Sequence, residues 1–129
     1  MAILWKDIYK VGNDEIDLEH QELFNKANMF LSAIGTDHLQ ESALEFFNYT
    51  REHFDNEEVL MFDVSYPGRE YHSQQHVELI KRLSYISESI SSNSSVHKSL
   101  ELFIYEWLLV HICKFDSRLS AYISNMQQK

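Results

Sequence analysis

The chain has 129 residues, 44% of them hydrophobic, the size of one domain that buries a single core without disulfide help. A formal charge of -9, from 11 Lys and Arg against 20 Asp and Glu, argues against a nucleic-acid or anionic-membrane partner, because both need a basic face. One cysteine, Cys113, rules out an intrachain disulfide. The start has no signal-peptide pattern, and no apolar run approaches the roughly 18 residues of a membrane span. A soluble cytoplasmic protein is the expectation.

Breaks are few and grouped at Gly12, Gly35 and Pro67-Gly68. Residues 1–16 read as an irregular arm. Ile16, Leu23, Phe24, Ala27, Leu31 and Ile34 recur at three- and four-residue intervals and predict a helix over 17–34. Phe46, Phe47, Phe54, Leu60 and Met61 predict a second over 38–63. After Pro67-Gly68, Leu79, Ile80, Leu83, Ile86 and Ile90 predict a third over 69–90, ended by the serine-rich stretch 91–95. Leu100, Phe103, Ile104, Trp107, Leu108, Phe115, Leu119 and Tyr122 predict a fourth over 96–124. Short connections between long amphipathic helices favour antiparallel neighbours. The expected fold is therefore all-α, an up-down-up-down antiparallel four-helix bundle in one domain, 1–129.

Alternation brings the start of helix one, the end of helix two, the start of helix three and the end of helix four to one end of the bundle. His20, His53 with Glu57, His72 with His76, and His111 with Asp116 all fall there. A helix turns about 100° per residue, so each i,i+4 pair is about 40° apart and can grip one object. His111 and Asp116 are five residues apart, about 140°, and share a centre only if the helix widens locally, for instance as a π-bulge. Imidazole and carboxylate suit iron, manganese or zinc, and seven groups are too many for one tetrahedral zinc. A two-metal centre bridged by the two carboxylates fits better. Five imidazoles then divide unequally and leave one metal a ligand short, where a small molecule binds.

The other candidates have plainer readings. His38 and His97 lie at the opposite end and are expected in solvent. Glu58, about 100° round from Glu57, is expected in solvent rather than at the metal. Cys113, two residues from His111, is expected to pack or to be partly exposed. Trp107 and Leu108 fall on or near the His111 face, as core or as a pocket wall.

These pieces resemble the hemerythrins, and among them the single-domain bacterial ones. The resemblance rests on Trp5 in the arm, Asp17-Leu18-Glu19-His20, His53-Phe54-Asp55-Asn56-Glu57-Glu58, Tyr66-Pro67 followed by His72-Ser73-Gln74-Gln75-His76, and Trp107-Leu108-Leu109-Val110-His111-Ile112-Cys113-Lys114-Phe115-Asp116. It runs nearly end to end. One departure is Glu19, where the family usually has Gln. The resemblance implies that His72, His76 and His111 hold one iron and that His20 and His53 hold the other, the oxygen-binding one. It makes Glu57 and Asp116 bridges to both, adds an oxo or hydroxo bridge, and puts Leu108 in the wall of the oxygen pocket.

The function so implied is reversible dioxygen binding for storage, transport or supply to an oxygen-using enzyme, by a protein that is not itself an enzyme; a monomer is expected, since no large apolar helix face is left over once four core faces are assigned. The alternatives are a di-iron enzyme, or a sensor, handling oxygen, peroxide or nitric oxide. Helical-bundle oxygenases use carboxylate-rich sets with fewer imidazoles, which weighs against the first alternative. A sensor of this size needs a separate partner protein.

Overall fold

The computed structural model describes residues 4–33, 35–88 and 96–127. It is all-α, an antiparallel bundle of four helices, with no strand among the described residues. Helix α1 spans Asp14–Ser32, α2 Thr36–Asp63 and α3 Arg69–Glu88. The fourth, α4, runs continuously through the segments Val96–Leu102, Phe103–Leu108, Leu109–His111, Ile112–Asp116 and Ser117–Gln127. Two of those segments, Phe103–Leu108 and Ile112–Asp116, are wound as π-helix. Neighbours α1 and α2 pack together, as do α2 and α3, and α4 lies against both α1 and α3.

Helix α1 begins three residues before the sequence expectation because Asn13 caps it. The Asn13 backbone is extended, and its side chain accepts from the Ile16 N–H at 3.1 Å. Asp14, Glu15 and Asp17 then place negative charge in the first turn, where the helix dipole favours it. Asp17 also accepts from the Val11 N–H at 2.8 Å, which ties the arm to α1. The arm contains one short 3-10 turn, Asp7–Tyr9. At its other end α1 stops at Ser32, since Ala33 is already extended.

Helix α2 starts at Thr36 rather than 38. Gly35, at φ 88° and ψ 151°, makes the reversal in a region that residues with a Cβ avoid. Helix α3 starts at Arg69, as the Pro67-Gly68 break predicts. Its expected end at Ile90 lies outside the described residues. The turn before it holds Ser65 at φ 52°. Tyr122 donates its hydroxyl to the carbonyls of Val64 and Ser65, at 3.1 and 3.3 Å, so α4 satisfies backbone acceptors that the end of α2 leaves open. Helix α4 continues to Gln127 beyond the expected 124.

The interior has three parts. A large apolar cluster centres on Leu23, Phe24, Phe30, Phe46, Leu83, Leu100, Phe103 and Ile104. A small one joins Met61, Leu119 and Ile123. Between them, one turn on from Phe54 in α2 and one turn before Leu119 in α4, comes a layer of buried polar groups. No helix is long and apolar enough to cross a membrane among the described residues.

Candidate metal centre

Seven ionisable side chains make up that layer: His20 from α1, His53 and Glu57 from α2, His72 and His76 from α3, His111 and Asp116 from α4. None is more than 5% exposed. Burying so many charges and imidazoles together is unfavourable unless each finds a partner of opposite sign.

Each imidazole turns its Nε2 inward. His72 Nε2 lies 3.1 Å from Glu57 Oε1 and 3.0 Å from Asp116 Oδ1. His76 Nε2 is 3.0 Å from the same Glu57 oxygen, and His111 Nε2 is 3.1 Å from the same Asp116 oxygen. The remaining carboxylate oxygens face the other way. Glu57 Oε2 lies 3.0 Å from His53 Nε2, and Asp116 Oδ2 lies 2.9 Å from His20 Nε2. Both carboxylates thus divide their oxygens between a three-histidine set and a two-histidine set.

The π-wound turn Ile112–Asp116 makes this possible. It accommodates the five-residue step, so that His111 and Asp116, which an α-helix sets about 140° apart, both point inward.

These donors fit metal ions better than they fit one another. Despite neighbours near 3 Å, both ring nitrogens of His20, His53 and His111, Glu57 Oε2 and both Asp116 oxygens make no well-directed hydrogen bond. The inward Nε2 atoms and the carboxylate oxygens instead crowd together, as the ligands of a cation do. Two groupings bring their donor atoms within 4.8 Å of one another: Glu57, His72, His76, His111 and Asp116 in one, and His20, His53, Glu57 and Asp116 in the other. Nitrogen and carboxylate oxygen together suit iron, manganese or zinc.

Outer contacts orient two of the rings. His76 Nδ1 donates to Glu58 Oε2 at 2.7 Å, and the Ser73 hydroxyl holds the other Glu58 oxygen. Phe54 stacks on the His76 ring, centroids 4.0 Å apart and planes 8° from parallel. On the opposite side Glu19 Oε1 lies 3.3 Å from His53 Nδ1 and accepts from Asn56 Nδ2 at 3.2 Å. One imidazole of each set is therefore backed by a carboxylate, the arrangement that fixes tautomer and ring angle in metal sites.

In the metal-free chain the imidazoles themselves must balance the carboxylates. Burial lowers the pKa of His53, but Glu57, Glu19 and Asp116 outweigh it and raise it to about 10. Burial likewise opposes protonation of His72, which Asp116 and Glu57 raise to about 9. Burial and the nearby Asp116 push Glu57 up, yet His53 and His72 hold it well below the usual carboxylate range. Asp116, pushed up by burial, is held low by His111, His20 and His72. Glu19 is also lowered, since its contacts with His53 and Asn56 exceed the effect of its partial burial.

Among the other sequence expectations, His38 and Cys113 are exposed and Leu108 is fully buried one turn before His111. The side chains of His97 and Trp107 lie outside the described residues. Glu58 is a correction: it is not left to solvent but is held by His76 and Ser73. A wheel drawn for α2 alone turns Glu58 away from Glu57. Only the rotation of α3, which brings Ser73 and His76 to that flank, reveals its role.

The family described as "Hemerythrin HHE cation binding domain" matches residues 11–123. The chain belongs to the hemerythrin family. It is 28% identical over 128 residues to a bacteriohemerythrin of Campylobacter jejuni, covering 95% of this chain and 96% of that one. A bacteriohemerythrin of Stenotrophomonas maltophilia is 29% identical over 116 residues, 87% of this chain and 76% of its own. A myohemerythrin of Riftia pachyptila is 25% identical over 114 residues, 88% and 87% of the two chains. Membership in this family makes non-haem iron the natural cation for the layer.

Proposed function

We propose that the chain holds two iron ions and binds dioxygen reversibly, as a carrier or store rather than an enzyme. One observation supports this reading above all: Glu57 and Asp116 each turn one oxygen to the three-histidine set and the other to the two-histidine set. Two carboxylates so divided are suited to bridging a pair of metals. His72, His76 and His111 would hold one iron, and His20 and His53 the other. The second grouping offers four side chains against five, which makes its iron the one with room for dioxygen. An oxo or hydroxo bridge between the irons belongs to the same reading. Iron bound there would supply the electrons for reversible dioxygen binding.

The chain's own part is to hold that chemistry reversible. Leu108, Phe24 and Ile104 are each about 1% exposed or less and belong to the large apolar cluster, which would wall the layer on that side. Such a wall denies water and protons to the site and so suppresses irreversible oxidation. Glu58 holds the His76 ring through a hydrogen bond, and Glu19 backs the His53 ring with its charge. Five imidazoles, rather than the carboxylate-rich set of oxygenases, favour binding over activation.

The test is to load the protein with ferrous iron, expose it to oxygen, and follow the visible charge-transfer spectrum through repeated deoxygenation. Recovery of the reduced form over many cycles is expected. Rapid irreversible oxidation with peroxide release would overturn the carrier reading.

A further inference from the structure

Acidic residues outnumber basic ones by 20 to 11, so two neighbouring exposed cations on one helix face, in a stretch poor in acids, are of interest. After Glu106 the sequence holds a single acid, the buried Asp116. Lys114 and Arg118, one turn apart on α4, are both exposed and form no ion pair among the described residues. Both lie over the Phe115 ring, 5.8 and 5.9 Å from its centroid. From α3, Tyr71 packs on the same ring at 5.5 Å and is 57% exposed.

The inner side of Phe115 meets the site. Its ring stacks on His111, centroids 5.5 Å apart at 21°, and meets His72 edge-on at 6.0 Å. One aromatic ring thus separates an exposed cationic face from two imidazoles of the three-histidine set. Tyr71, Phe115 and His111 form an unbroken series of ring contacts from solvent inward.

We propose that Tyr71, Lys114, Phe115 and Arg118 form the docking face for an acidic one-electron carrier protein that returns oxidised iron to the ferrous state. The proposal rests on the di-iron reading above. A chain of charge -9 repels an acidic partner overall, while Lys114 and Arg118 attract it locally, so the same charges draw it in and orient it. The ring series beneath selects an electron carrier from among acidic proteins. The step balances without bond making: two carriers each give one electron, and two ferric ions become ferrous.

The test uses iron-loaded, diferric protein and a flavodoxin, a small acidic protein carrying FMN. Oxidised flavodoxin, titrated into labelled protein, is expected to shift the amide signals of residues 71, 114, 115 and 118. Flavodoxin hydroquinone is then mixed with the diferric protein without oxygen, and the second-order rate of reduction is followed at low salt. Lys114→Glu with Arg118→Glu is expected to lower that rate about tenfold or more, the scale of electrostatic steering. Lys81→Glu with Lys98→Glu changes net charge equally on other faces and is expected to leave it within about twofold. Added salt is expected to erase the difference. If charge reversal disturbs iron loading, Lys114→Gln with Arg118→Gln is expected to slow reduction about threefold. Equal slowing by the two Glu pairs, or none by either, in proteins that dithionite and oxygen still cycle, would overturn the docking face. Failure of the unsubstituted protein to cycle would instead overturn the di-iron reading, and the proposal with it.

Discussion

The buried positions of α2 include Phe46, Thr50, His53, Phe54, Glu57 and Met61 in turn, and those of α4 include Ile104, Leu108, His111, Ile112, Asp116 and Leu119. Each passes from apolar to polar and back to apolar. The apolar ends need only one another, because water exclusion and dispersion have no required direction. The polar layer is different. Thr50, just above it, is satisfied within its own helix by donating to the Phe46 carbonyl at 2.7 Å, but the nitrogens of His20, His53 and His111 make no well-directed hydrogen bond. The apolar clusters therefore depend on volume and the layer depends on geometry and charge, so the two should fail in different ways.

The largest separation is expected on removing metal. Stripping iron with a chelator should lower unfolding free energy by about 4 kcal/mol at saturating metal while the helices persist, read by denaturant titration and circular dichroism. The stripped protein should also depend on pH in a particular sense. The pKa of His53 is raised from 6.5 to about 10 and that of His72 from 6.5 to about 9. Their contribution to stability is complete below pH 6.5 and fades as pH rises through about 9 and 10. Metal binding needs deprotonated imidazoles, so iron-loaded protein should lack this loss. A stripped protein whose stability is flat over that window would contradict the charge balance described.

Next in size is a cut in the apolar core. Leu83→Ala should cost about 3 kcal/mol, within the range for a fully buried leucine, but leave the iron content unchanged. Asp116→Asn should do the reverse, depleting iron with little change in the fold of the apolar clusters. Equal iron loss in both variants would erase the distinction.

At the boundary between the regions, Leu108→Asn brings water to the apolar wall. Autoxidation should speed up about tenfold, equivalent to about 1.4 kcal/mol in the barrier. The decay of the oxygenated spectrum measures it, and an unchanged rate would remove Leu108 from the pocket. The smallest effect is expected from Glu58→Gln, which keeps the size of the side chain but weakens its grip on His76. Iron retention against a chelator should fall by up to about tenfold.

Much of this was legible before any coordinates. Glycine, proline and apolar spacing mark all four helices, and alternation alone brings the seven donors level. The five-residue step from His111 to Asp116 calls for a widened helix, and Ile112–Asp116 supplies it. Helix ends were less legible, because a capping residue such as Asn13 acts through its backbone conformation and not through periodicity. The role of Glu58 was illegible for a related reason. It depends on how α3 is rotated against α2, which no single-helix pattern contains.

If the divided carboxylates bridge a pair of metals, the chain should take up two ions and not one. The most direct test is an anaerobic ferrous titration of stripped protein, with iron counted per chain after gel filtration. Two irons per chain are expected, and two again on reloading. A plateau at one metal ion per chain would contradict bridging by Glu57 and Asp116.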